Sequence, residues 1–135
     1  MNCAFEIGRT ASVSKTISET DVYLFAGITG DFNPAHVNEV YARDTIFNGR
    51  IAHGMISAGL ISAVLGAHMP GPGTIYLSQT LKFLAPVRIG DTITATVTIT
   101  NIIAEKNRAT ILTEVRNQDE KTVTTGEAVV MLPKK

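Results

Sequence analysis

Residues 53–73 read HGMISAGLISAVLGAHMPGPG, and positions 55–65 within them hold no charge at all. They are apolar or small all round. A helix without a polar face is expected to be buried, and the Pro/Gly cluster at 70–73 ends it. Beyond that turn the period changes. DTITATVTIT (91–100) alternates, with Ile93, Ala95, Val97 and Ile99 on one face and threonines on the other. That is the pattern of a half-buried antiparallel strand. TIYLSQTLKFL (74–84), ATILTEVRN (109–117) and TVTTGEAVVML (122–132) read the same way, joined by short polar turns. One apolar helix followed by four consecutive strands predicts an α+β fold, with an antiparallel sheet wrapping the helix.

Upstream, residues 11–17 (ASVSKTI) form a candidate strand. Ser18 to Asp21 (SETD) then reads as an N-cap with an acidic residue at N3, a variant of the capping box. It opens a helix through Val22, Leu24, Phe25 and Ile28, which Gly27 weakens and Gly30 ends. A shorter helix is expected across residues 38–44. The whole chain, 1–135, is the size of one domain.

Composition narrows the function. At 44% hydrophobic and 18% charged residues, the chain is rich enough in apolar groups to bury a core. Twelve basic residues balance twelve acidic ones, and no basic stripe recommends a nucleic-acid partner. With 6% aromatics and no Trp, stacking platforms for bases are not expected either. The mean hydropathy is mildly positive, a hint of apolar surface covered by a partner subunit. Cys3 is the only cysteine, so neither an internal disulfide nor a cysteine metal site is expected. The start MNCAFEIGRT is not of the signal-peptide type, and the apolar run 54–66 is too short for a membrane span. A cytoplasmic location and no membrane partner are the expectations.

The stretch GITGDFNPAHVN (27–38) brings an acid, Asp31, close to an imidazole, His36. On a helix they would stand about 140° apart. Asn33 precedes Pro34, however, which disfavours helix at 33 and favours a turn. A bent loop lets the two groups converge on one water and move its protons. Spacing leaves a second reading open, with Asp31 as a turn or helix cap and His36 as an incidental surface residue. The start of the apolar helix at Gly54 offers unpaired N–H groups and a partial positive charge. They suit an oxyanion, or simply a solvated helix end. His53 reads as a structural neighbour. Ser57 and Ser62 are expected to bond back to the preceding turn. Ser62 and Leu65 share a helical face with Gly54 and are placed as pocket shape. The three histidines at 36, 53 and 68 lack zinc-ligand spacing. GMISAG misses the nucleophile-elbow pattern by one residue, and neither a Walker loop nor a dinucleotide fingerprint is present.

These residues together resemble a known family. GITGDFNPAHVN is similar to the motif of the MaoC-like, (R)-specific enoyl-CoA hydratases, a small residue followed by G-D-x-N-P-x-H. IAHGM (51–55) and LKFLAPVRIGDTITATV (81–97) resemble the same family's central helix start and following strands. The likeness runs over nearly the whole chain, and it is closest to the short bacterial members linked to polyhydroxyalkanoate synthesis. It implies a hot-dog fold, a homodimer and an acyl-CoA substrate bound near the subunit interface. It further implies Asp31 and His36 as the catalytic pair, Asn33 supporting their loop, and the Gly54 N–H as oxyanion donor. Phe47, Ser62, Leu65 and Val130 are the expected pocket residues. No metal or cofactor is expected, coenzyme A being part of the substrate. The implied reaction is reversible hydration of trans-2-enoyl-CoA to (R)-3-hydroxyacyl-CoA. Alternatives within the same fold are a 3-hydroxyacyl carrier-protein dehydratase, an acyl-CoA thioesterase and a non-catalytic acyl-binding subunit. Many hot-dog thioesterases place a carboxylate on or beside the central helix, and residues 54–66 contain neither Asp nor Glu.

Overall fold

A computed structural model describes residues 5–134; Cys3 lies outside them. The chain runs β1 (Thr10–Thr16), α1 (Glu19–Thr29), α2 (Pro34–Val37), α3 (Glu39–Arg43), α4 (Gly54–Ala67), β2 (Ile75–Gln79), β3 (Lys82–Phe83), β4 (Thr92–Ile103), a 3-10 turn (Ala104–Lys106), β5 (Arg108–Arg116) and β6 (Thr122–Met131). The strands make one antiparallel sheet in the order β1-β4-β5-β6-β2, with β3 pairing on β6. This is the hot-dog arrangement that the resemblance implies, with α4 packed against the sheet.

The alternation in β4 does what its period requires. Ile93, Ala95, Val97 and Ile99 are buried beside Ile61, Val64 and Leu65 of α4. Each fully buried aliphatic side chain of this kind contributes roughly 1.5–3 kcal/mol by leaving water. The threonines on the other face meet the hydroxyls of β1 in a ladder. Thr16–Thr92, Ser14–Thr94, Ser12–Thr96 and Thr10–Thr98 are 2.7, 2.6, 2.8 and 3.2 Å apart. Cross-strand hydroxyl pairs of this type fix register as well as adding stability. The predicted capping box is present in full. Asp21 N–H donates to Ser18 Oγ, and Ser18 N–H donates to the Asp21 carboxylate.

Four expectations need correction. The strand foreseen at 74–84 is two, β2 and β3, because the chain kinks where the Thr80 carbonyl crosses β6 at Gly126. A Cβ on Gly126 would lie 1.8 Å from that oxygen. β2 is also largely exposed rather than half-buried. Pro34–Val37 forms a helical turn where a loop was expected, since Pro34 suits the first helical position and Asn33 caps it. Finally, α4 is buried on one side only. Ser57, Ile61, Val64 and Leu65 face the sheet, whereas Met55, Gly59, Ser62, Ala63, Gly66 and Ala67 are exposed. A single sheet covers one side of a helix, and among the described residues the other side stays exposed. Among the described residues no helix is long and apolar enough to cross a membrane.

Candidate active site

α1 ends at Gly30 in the left-handed region (φ 80°), which releases the chain into the loop that carries Asp31. The turn is then built by short polar side chains. Asp31 N–H donates to Thr29 Oγ1 at 3.1 Å, and Asn33 N–H donates to Asp31 Oδ1 at 3.2 Å. Asn33 Oδ1 in turn accepts from Ala35 N–H at 3.0 Å and caps α2. His36 rides on that helical turn. The turn reading of Asp31 holds: one carboxylate oxygen closes a turn, and the other has no hydrogen-bond partner among the described residues.

The second half of the site is the segment from Ile51 to Gly54. His36 Nδ1 lies 2.7 Å from the Ile51 carbonyl. A carbonyl oxygen only accepts, so Nδ1 carries the proton and Nε2 of the neutral ring keeps its lone pair. His53, 2% exposed, donates from Nε2 to the Asp31 backbone carbonyl at 2.9 Å. Its ring centroid is 3.9 Å from that of His36 at 30°, and 4.7 Å from that of Phe25. Asp31, His36 and His53 each place a polar atom within 4.8 Å of the others. These could serve as metal ligands, but two imidazole nitrogens are committed to carbonyls and His53 Nδ1 is buried.

Gly54 follows directly as the first residue of α4. No side chain caps this helix; Ile56 N–H turns back to the His53 carbonyl at 3.0 Å, while Gly54 N–H has no hydrogen-bond partner among the described residues. The absence of a side chain at 54 leaves room for the Phe83 ring, which a Cβ would approach to 2.8 Å. The segment is anchored from both directions. Ala52 N–H donates to Val87 O at 2.7 Å. Next to it, Arg50 binds Glu19 at 2.7 Å, Glu39 at 3.3 Å and the Tyr23 hydroxyl at 3.1 Å. The Arg50 guanidinium and the Tyr23 hydroxyl hold the Glu19 carboxyl below the usual carboxylate range.

A cavity of 410 Å³ opens beside this cluster, lined by His36, Phe47, Gly54, Met55, Ser57 and Phe83 among others. A second, of 600 Å³, shares Met55 with it and is walled by Phe25, Thr29, Gly59, Ser62, Tyr76 and Leu81. Burial pushes the Tyr76 phenol up. Of the expected pocket residues, Phe47 lines the first cavity and Ser62 the second. Leu65 and Val130 line neither; they are 1% and 0% exposed and belong to the core. Leu65 follows Ile61 by one helical turn and faces the sheet with it, while Val130 is on the inward side of β6. Sequence reasoning missed the grip of the Ile51 carbonyl on His36, the Arg50 network and the Phe83 ring over Gly54. None has a local signal, since each partner is at least 11 positions away in the chain.

Comparison with known proteins agrees with this fold. Residues 4–124 match the MaoC like domain. The chain belongs to the MaoC-like domain family. Within it, the chain is 60% identical to a protein of Rhodospirillum rubrum named (R)-specific enoyl-CoA hydratase, covering 93% of this chain and 87% of that one. It is 52% identical to the 3-hydroxybutyryl-CoA dehydratase of Methylorubrum extorquens, over 96% of this chain and 82% of the relative. Among solved structures, the (R)-hydratase from A. caviae involved in PHA biosynthesis superposes with a TM-score of 0.94. Its identity is 42%, with 97% of this MaoC-like chain and 99% of that one covered.

Proposed function

We propose that this protein catalyses the reversible hydration of a trans-2-enoyl-CoA to the (R)-3-hydroxyacyl-CoA. The observation that carries the reading is the open Asp31 carboxylate beside a His36 whose Nε2 lone pair is free, next to the cavity lined by His36 and Gly54. The names of the relatives supply the substrate class and the stereochemistry.

In the forward direction the pair holds one water. Asp31 takes a proton from it as the oxygen attacks C3. The C2–C3 π electrons move toward the thioester carbonyl, whose oxygen gains negative charge. Gly54 N–H donates to that oxygen, and loss of one such donor costs on the order of 3 kcal/mol in the barrier. The pair then returns a proton to C2. The thioester itself acidifies C2, so the scheme calls for neither metal nor redox cofactor. The second cavity, with its apolar walls, takes the acyl chain. A second copy of the chain joins its sheet to this one edge to edge, giving a homodimer with the site near its interface. The product serves polyhydroxyalkanoate synthesis or fatty-acid metabolism in the cytoplasm.

The test is loss of the crotonyl-CoA enoyl absorbance, with chiral analysis of the product and a thiol assay. (R)-3-Hydroxybutyryl-CoA without free CoA is the expected result. Free CoA with no hydroxyacyl product would instead establish a thioesterase, and turnover only of a carrier-protein thioester would establish the carrier-protein dehydratase. Sedimentation at the mass of two chains checks the dimer.

A further inference from the structure

We infer that His53 is a positioning residue of this site, fixing the backbone of Asp31 and the plane of the His36 ring so that both reach one water. The inference rests on the hydration chemistry proposed above.

Asp31 stands in an exposed loop whose own hydrogen bonds are all local. Its N–H and its carboxylate reach only to Thr29 and Asn33, two positions away. Among the described residues, the bond from His53 Nε2 to its carbonyl is the one that ties Asp31 to the body of the fold, 22 positions along the chain. The same ring lies 3.9 Å from His36, close enough to seat it. His53 thus touches both members of the pair. The ring is 2% exposed, and its Nε2 is committed to the Asp31 carbonyl.

A purely structural role is a poor explanation for this residue. His53 Nδ1 is buried and has no hydrogen-bond partner. A phenyl ring in the same place would pack against Phe25 and His36 without that penalty. What a phenyl ring lacks is the donor to Asp31. That donor also fixes the tautomer, because a proton on Nε2 leaves Nδ1 as a bare lone pair.

The experiment separates ring from donor. His53→Phe keeps the stacked ring and removes the donor; His53→Gln removes the ring and keeps an N–H at a similar reach. Crotonyl-CoA hydration is measured in the full-length protein for both. The expected result for His53→Phe is a fall in kcat of about 10²-fold, the scale for a small misplacement of a reacting group, with KM changed less than about twofold. His53→Gln is expected to recover at least tenfold of that loss. Full activity in His53→Phe, or equal loss in both variants, would overturn the inference while leaving the hydratase reading intact if the wild type turns over. No turnover by the wild type would instead overturn the reading on which the inference rests, and the inference with it. A third measurement needs no variant. Long-range ¹H–¹⁵N spectra of the wild-type histidines are expected to show His53 as the neutral Nε2–H tautomer, and an Nδ1–H tautomer would refute the proposed bond.

Discussion

The loop that carries Asp31 and His36 and the segment that grips it are built in opposite ways. Asp31, Phe32 and Asn33 are exposed, and apart from the Asp31 carbonyl, which accepts from His53, their hydrogen bonds run within the loop or to its neighbours. Ala52 and His53 are 4% and 2% exposed, and their segment is pinned to Val87, Asp31 and His36. Reacting groups have to meet water and substrate, so they stand where solvent reaches. Their aim is set by buried backbone and one buried ring, where few alternative positions exist. On the proposed mechanism, one side carries the chemistry and the other holds it in place.

Substitutions divide accordingly. The largest losses are expected on the loop. Asp31→Asn keeps the turn acceptor but cannot take a proton, and His36→Gln removes the free imidazole nitrogen. Hydration rates are expected to fall by about 10³-fold in each, within the range for positioned acid–base groups. Next comes the gripping segment. Gly54→Ala drives a methyl against Phe83 and crowds the helix start; a loss of about 10²-fold in kcat is expected, read in the same assay. Asn33→Ala sits between the two sides. Losing the α2 cap is expected to cost about 1 kcal/mol in urea unfolding, with a loss of about tenfold in rate because His36 rides on that turn.

The smallest effect belongs far from both. Asp21→Asn weakens the α1 capping box, with about 1 kcal/mol of stability lost at neutral pH and the hydration rate unchanged. Ser18 backbone donation lowers the Asp21 carboxyl below its ordinary 3.8. The stability it contributes is therefore full above 3.8 and lost as pH falls through the lower folded-state value. Urea unfolding of wild type and variant is expected to converge on acidification through that window.

What could be read from the sequence was what local periodicity and local chemistry decide. The alternation of Ile93 to Ile99 and the Ser18/Asp21 box each lie within one short window, and both formed as expected. The kink between β2 and β3 depends on Thr80 meeting Gly126, so neither sequence neighbourhood announces it. α4 carries small and apolar residues on both sides, and its composition hid which side the sheet would cover. Leu65 and Val130 were placed by helix and strand phase, and the sheet took both into the core. In the site, Asp31, Asn33 and His36 were legible because turn chemistry and the family motif share six positions. His53 was assigned only to structure, since its bond to Asp31 exists only after folding.

A double-mutant cycle on the hydration of crotonyl-CoA tests the shared-water claim most directly, comparing wild type, Asp31→Asn, His36→Gln and the double variant. Two groups acting on one water work as a unit, so the double variant should be little slower than the slower single variant. Additive losses in the logarithm of the rate, or near-wild-type rates in either single variant, would contradict it.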